Sequence, residues 1–171
     1  MHIKLMGIIG LSASMLANAA DYTAVNKSSC NRMINSTQAF VLVLDKGDSL
    51  VESINQCAKD ANLQGAAVTG LGQVENPTLA YFSPNPEDIP TLTTFNGFYE
   101  LASLTGNITN NSGQYYTHLH STLADKEFRG IAGHVNKATV GLTVEVMIQP
   151  FAAPIERTVD EATGFGPIVT H

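Results

Sequence analysis

One segment of the chain has the periodicity of an α-helix, and the sequence after it has the pattern of β-strands. In residues 50–61 the apolar side chains recur at helical spacing on one stripe, and the polar side chains lie off it. Ser49, followed three residues later by Glu52, indicates a capping-box helix start. From residue 65 onward, short β-prone runs alternate with turns. The pattern predicts an α+β fold, with one main amphipathic helix packed on a face of an antiparallel sheet.

The strands are predicted from runs of β-branched and apolar residues bounded by turn residues. They cover residues 38–44, before the helix, and 65–74, 78–82, 91–95, 98–109, 115–123 and 138–149 after it. The break Gly70-Leu71-Gly72 predicts a bulge or a close backbone approach, and residues 110–114 predict a hairpin turn. We expect one domain over residues 38–150, with a polar, irregular lead-in at 21–37 and a surface tail at 151–171.

Residues 1–20 have the pattern of a secretory signal peptide. A start containing Lys4 precedes a short apolar run, and the A-x-A sequence that ends at Ala19 precedes the first acidic residue. The run is shorter than the about 20 apolar residues that span a bilayer, and no later segment is long enough for a membrane helix. The alternative is a buried N-terminal helix. We expect cleavage after Ala19 or Ala20 and an exported protein without stable membrane insertion, periplasmic or secreted.

Cys30 and Cys57 are the chain's two cysteines. An oxidising compartment permits a disulfide between them. The alternative is two separate thiols, with Cys57 acting as a small apolar core residue.

Three of the five histidines, His118, His120 and His134, lie within one 17-residue window. Side chains two residues apart on a strand lie on the same face about 7 Å from each other, so His118 and His120 can reach one ion. His134 follows Gly133 after a turn and could supply a third ligand. Three imidazoles leave a coordination position open, as in catalytic zinc sites. The alternative is a set of exposed or hydrogen-bonded sheet histidines.

The charge balance excludes one function class. Nine Lys and Arg against fifteen Asp and Glu give a net charge of −6, and cleavage of the signal peptide removes Lys4 and makes it −7. A non-specific nucleic-acid binder needs a basic surface to neutralise phosphates. We therefore expect no nucleic-acid partner.

The sequence also resembles the PPC (plants and prokaryotes conserved) domain family over about residues 38–150. The runs that carry the resemblance stand in the family's order: FVLVL at 40–44, KGD at 46–48, VTGLG at 68–72, GFYEL at 97–101, SLTGN at 103–107, HLH at 118–120 and GH at 133–134. One departure is Phe98, where the family has arginine.

The resemblance implies a single α+β domain that assembles as a homotrimer. It also implies that His118, His120 and His134 are candidate ligands of a divalent metal, for which we expect zinc. The family's DNA-binding label comes from plant members that carry a basic AT-hook beside the domain. This chain has no such hook, so we do not extend the label to it.

A more distant, fold-level resemblance to acetolactate decarboxylase raises an enzymatic alternative. A zinc-dependent lyase or hydrolase acting on a small carboxylate metabolite needs supporting acids and a cation. Glu100, expected from strand parity to be partly buried, is the best acid candidate, and Arg129 is a possible cation. The alternatives are a structural hydrogen bond or salt bridge for Glu100 and a solvated turn position for Arg129.

Three functions therefore stay open at the level of sequence. The first is an exported metal- or small-molecule-binding module, with a possible ligand at the metal. The second is the zinc-dependent enzyme. The third is a metal-free trimeric scaffold that binds an envelope protein.

Overall fold

The computed structural model describes residues 23–85, 87–111, 113–160 and 166–170. The predicted signal peptide at 1–20 lies outside the described residues. The described part forms one mixed sheet of eight strands with one α-helix and one short 3-10 helix. In chain order the elements are β1 (Thr23–Asn26), the 3-10 helix (Cys30–Met33), β2 (Phe40–Asp45), α1 (Leu50–Asp60), β3 (Ala66–Tyr81), β4 (Thr91–Thr94), β5 (Phe98–Asn111), β6 (Gln114–Ala124), β7 (Gly130–Pro150) and β8 (Glu156–Arg157).

Helix α1 forms where the periodicity predicts it, and its apolar stripe is buried. Leu50, Ile54 and Cys57 have no exposed surface, and the helix contacts β2, β6 and β7. Ser49 is the N-cap residue, but its side chain makes no cap hydrogen bond, so the predicted capping box is wrong in that detail. The helix ends before Asn62, whose positive φ of 50° turns the chain away.

The core lies between α1 and the inner face of the sheet. Its largest fully buried side chains come from β2, α1, β3, β5, β6 and β7: Phe40, Leu42, Leu44, Leu50, Ile54, Val68, Leu101, Leu104, Ile108, Leu119, Leu123 and Ile148. A disulfide joins Cys30 in the 3-10 helix to Cys57 in α1, with a Cα–Cα distance of 5.2 Å. The predicted disulfide is thus confirmed.

Strand β7 determines how the sheet closes. Its 21 residues pair with β6 through Gly130–His134, with β3 over most of their length, and with β2 near the end. Because β3 also pairs with β5, and β5 with β6, these four strands form a closed ring of pairings. Most pairs are antiparallel as predicted, while β1–β2 and β5–β8 are parallel.

The Gly70–Gly72 break forms the predicted bulge. The register between β3 and β5 shifts there, and Gly72 has a φ of +146°. A Cβ at Gly72 would collide with the backbone oxygen of Thr143 on β7. The two glycines therefore permit β3 to pair on both edges. The predicted strands 65–74 and 78–82 are one continuous strand.

The two flanking segments differ from the prediction of irregular surface chain. In the lead-in, Val25 on β1 and Met33 on the 3-10 helix are buried. In the tail, β8 adds to the edge of β5, and the backbone N–H of Asn110 donates to the carbonyl of Ile155. Within the described residues, no helix combines the length and the apolar character needed to cross a membrane.

Candidate metal centre

Strand β6 presents His118 and His120 on its outer face. The alternation along β6 buries Thr117, Leu119 and Ser121 on the inner face and leaves the two histidines on the other. This confirms the predicted shared face.

The third histidine reaches the pair through the β6–β7 register. His134 on β7 is the direct cross-strand partner of His120, and the other edge of β7 places Ala80 of β3 opposite His134. Side chains opposite one another in an antiparallel pair are neighbours on one face. The register thus brings the predicted third candidate beside the first two.

The three rings form a compact cluster. One candidate ligand atom from each histidine lies within 4.8 Å of the other two. The ring centroids are 5.0 Å apart for His118 and His134, 5.2 Å for His118 and His120, and 5.4 Å for His120 and His134. No Asp, Glu or Cys among the described residues joins this cluster.

The surroundings favour the uncharged form of two of the rings. Burial lowers the pKa of His118 below its ordinary value, and the charges of Arg157 and His120 lower it further. Burial, with the charges of His118 and His120, lowers the pKa of His134 to about 4. A neutral imidazole retains the lone pair that ligates a metal.

Arg157 lies against the cluster and is not among the site residues that the sequence predicts. One terminal nitrogen, Nη2, lies 3.3 Å from Nδ1 of His118, and the guanidinium carbon lies 5.3 Å from the ring centroid of Tyr116. Residues 151–171 contain no lysine and one arginine, Arg157, which lies between Pro154 and Asp160. This isolated cation is the signal that the sequence offers, but the composition of the tail predicts a surface segment.

The cluster lies in a cavity of about 710 Å³. Drug-sized ligands typically occupy cavities of about 300–1,000 Å³. The ring of Phe82 meets that of His134 edge to face at 5.1 Å. The described lining residues are Ala80, Tyr81, Phe82, Asn111, Tyr116, His118, His120, Gly133, His134, Arg157, Val159, Gly166 and Pro167.

Glu100 and Arg129, the other two candidates, do not line this cavity. Glu100 is exposed and accepts a hydrogen bond of 2.9 Å from Gln73. Its predicted partial burial is wrong because a β-bulge between Leu101 and Ser103 changes which side chains of β5 face inward. Arg129 is 75% exposed and pairs with Asp125 in the β6–β7 turn, as expected for a solvated turn residue.

Comparison with known proteins identifies the family of the chain. Residues 32–152 match the model of the Plants and Prokaryotes Conserved (PCC) domain. No protein with a curated description matches the chain.

Solved structures share the fold. A candidate DNA-binding protein from Ralstonia eutropha JMP134 has 25% identity and a TM-score of 0.71, over 77% of this chain and 90% of its own. A metal-containing protein from Archaeoglobus fulgidus has 22% identity and a TM-score of 0.70, over 78% of this chain and 94% of its own.

A more distant structure is a Staphylococcus aureus protein of unknown function, similar to alpha-acetolactate decarboxylase. It has 19% identity and a TM-score of 0.46, over 68% of this chain and 53% of its own.

The family model covers most of the chain and includes all three clustered histidines. The chain therefore belongs to the Plants and Prokaryotes Conserved domain family.

Proposed function

We propose that the protein is a metal-binding module in which His118, His120 and His134 hold one divalent ion, zinc. The observation that carries the proposal is the convergence of one nitrogen from each ring within 4.8 Å of the others. The proposal rests on this chain's own side chains, since the low identity of the solved relatives supports the fold alone.

The donor set fits zinc. Imidazole nitrogens ligate zinc at about 2.0–2.1 Å, which places tetrahedral ligands about 3.4 Å apart. A spread of at most 4.8 Å is closed by small side-chain rotations, and the neutral rings of His118 and His134 need not lose a proton first. Three ligands leave one position open toward the cavity, where a water molecule or a small molecule can bind.

The described lining of the cavity favours ligand binding over catalysis. When bound, zinc supplies a Lewis acid for one oxygen of a ligand. Lyases and hydrolases of the alternative type also need a positioned acid or base. The described residues lining the cavity include no Asp or Glu, and Glu100 lies elsewhere. We therefore rank the binding module above the enzyme.

Metal analysis tests the proposal. Protein purified without chelator, and protein stripped and then titrated with zinc, should each bind about one zinc per chain by elemental analysis and calorimetry. His120→Ala removes one of the three ligands and should reduce the zinc affinity by about 100-fold or more.

Thr122→Ala is the matched control for this test. Thr122 lies on the same strand and the same exposed face as His120 but outside the cavity, so its loss should leave zinc binding unchanged. Stripped wild-type protein that takes up neither zinc, nickel nor manganese would contradict the metal centre and leave the metal-free scaffold.

We also propose that the protein acts outside the cytoplasm. The signal-peptide pattern of residues 1–20 supports export, and the Cys30–Cys57 disulfide supports an oxidising compartment. Mass spectrometry of the protein from the periplasmic fraction should give a chain that begins at Ala20 or Asp21. A chain that retains Met1 and stays in the cytoplasm contradicts export.

A homotrimer without nucleic acid is the assembly that we propose. Strands β3 and β7 expose Leu71, Leu142 and Met147 at 46–65% of their surface, which supports an interface on these strands. The net charge of −6 opposes binding to phosphates. Light scattering should give three times the chain mass. A monomer, or salt-sensitive DNA binding, would overturn this proposal.

A further inference from the structure

Arg157 is held rigidly at the wall of the cavity. Strand β8 pairs with the end of β5, so that Arg157 lies opposite Asn111. Its Nε donates to Thr109 Oγ1 at 3.0 Å, Nη2 donates to Asn107 Oδ1 at 2.9 Å, and Nη1 donates to the carbonyl of Gly166 at 2.7 Å. The position of the guanidinium is thus determined by the strands beneath it.

In the part of the chain that the structure describes, no carboxylate forms an ion pair with this guanidinium. Among the described residues Arg157 forms no salt bridge, whereas Lys27, Lys126 and Arg129 each pair with an acid. It is also the one Lys or Arg among the described residues that line the cavity. A partly buried cation that has no counter-ion among the described residues favours an anionic ligand, because water solvates its charge poorly.

Metal binding would free a donor of this guanidinium. Arginine can only donate hydrogen bonds, so Nδ1 of His118 is the acceptor in the 3.3 Å contact with Nη2. A neutral imidazole has one lone pair, and ligation uses it: Nδ1 is then either the ligand itself or the protonated nitrogen. In both cases His118 stops accepting a hydrogen bond from Arg157.

The freed donor adds to an N–H that is already available. Of the five N–H groups of Arg157, three are taken by Thr109, Asn107 and Gly166. Ligation of His118 thus leaves one available N–H on each terminal nitrogen. A carboxylate accepts two such donors at once, which is the strong, bidentate form of this interaction.

The remaining walls suit an apolar group. Phe82, Tyr116 and Val159 line the cavity beside the histidines and Arg157. We infer that Arg157 is the anion-binding residue of this cavity and that the ligand is a small organic carboxylate. The carboxylate of this ligand would lie between the guanidinium and the metal position, and its apolar part would lie against these side chains. The inference rests on the proposed metal centre, because the metal releases His118 from Arg157.

Titration of the zinc-loaded protein with benzoate, followed by calorimetry, tests the inference. Arg157→Gln should weaken benzoate binding by about tenfold or more, the usual effect of losing a charged hydrogen bond, while zinc content stays at one per chain. Arg157→Lys, which keeps the charge without the bidentate geometry, should give an intermediate affinity. It also provides the comparison if Arg157→Gln does not fold or load zinc.

Arg129→Gln is the matched control, since it removes an exposed arginine outside the cavity and should leave benzoate binding unchanged. Benzamide, the neutral analogue, should not bind. The inference is overturned if Arg157→Gln binds benzoate as tightly as the wild-type protein, or if zinc-loaded wild-type protein binds no benzoate. It is also overturned if inorganic phosphate binds as tightly as benzoate. Failure of the wild-type protein to take up zinc instead contradicts the metal centre.

Discussion

Gly106 on β5 lies so close to the backbone carbonyl of His118 on β6 that a Cβ at this position would overlap the carbonyl oxygen. The two strands pair antiparallel here, with Gly106 opposite Leu119. The absence of a side chain at Gly106 therefore determines where the β6 backbone runs at His118. The position of one candidate ligand depends on a glycine that makes no contact of its own with a metal.

Gly106→Ala should move β6 and disturb the candidate metal centre. Overpacking costs about 1–3 kcal/mol of the free energy of unfolding, and a displaced ligand should weaken zinc binding by about tenfold. Urea denaturation and zinc titration measure the two effects. Gly130→Ala is the control, because a Cβ at Gly130 would meet its nearest atom at an ordinary 3.9 Å. Equal behaviour of the two variants would show that β6 is not held by Gly106.

The local patterns of the sequence were enough to predict the helix, most of the strands and the face shared by two candidate ligands. The stripe of α1 and the alternation of β6 depend on neighbours a few residues apart, and the structure confirms both. The face shared by His118 and His120 follows directly from that alternation.

Features set by long-range pairing could not be predicted in the same way. The sequence predicts that β7 begins at residue 138, but it begins at Gly130. Residues 130–137 contain two glycines and lack a clear strand pattern, and pairing with β6 and β3 holds them in the strand. The bulge at Leu101 reversed the parity on which the burial of Glu100 was predicted. Arg157 reaches His118 through a parallel pairing between the tail and β5, and no local pattern encodes that contact.

Reduction of the Cys30–Cys57 disulfide should destabilise the fold. The bond joins residues 27 apart in the chain, and closing a loop of that length contributes roughly 3–4 kcal/mol in the chain-entropy model. Cys30→Ser/Cys57→Ser should therefore unfold at lower urea concentration than the oxidised wild-type protein. Reductant should shift the wild-type midpoint toward that of the variant and leave the variant unmoved. Two titratable thiols in denatured, unreduced protein would contradict the disulfide.

Because of Asp48, the free energy of unfolding should fall as the pH is lowered in the acid range. Burial alone would raise the pKa of Asp48, but hydrogen bonds from the Lys27 side chain and the Asp45 backbone, together with the charge of Lys27, lower it overall. The folded pKa then lies below the unfolded value of about 3.9, so the stabilisation is present above pH 4 and is lost as the pH falls through the folded pKa.

Asp48→Asn should remove this dependence and lower the free energy of unfolding at pH 7 by about 1–3 kcal/mol. Urea denaturation at pH 7 and pH 3 measures the difference, which should shrink at the lower pH. Asp88→Asn, which changes an exposed loop carboxylate, is the control and should cost little at either pH. A difference between wild type and Asp48→Asn that grows on acidification has the wrong sign and would refute the assignment.

The hydrogen bond between Asn55 and Thr117 joins α1 to the strand that carries two of the candidate metal ligands. The hydroxyl of Thr117, buried on the inner face of β6, donates to Asn55 Oδ1 at 2.5 Å. Asn55→Ala leaves this buried hydroxyl without its partner, which should cost about 1–3 kcal/mol of the free energy of unfolding.

The double variant Asn55→Ala/Thr117→Val removes both polar groups. Its loss of unfolding free energy should be smaller than the sum of the losses in the two single variants. Gln56→Ala, which removes an exposed bond to Asp60, should cost less than about 0.5 kcal/mol. A double-mutant cycle by urea denaturation measures the coupling, and additive effects would show that the helix is held on β6 by apolar packing alone.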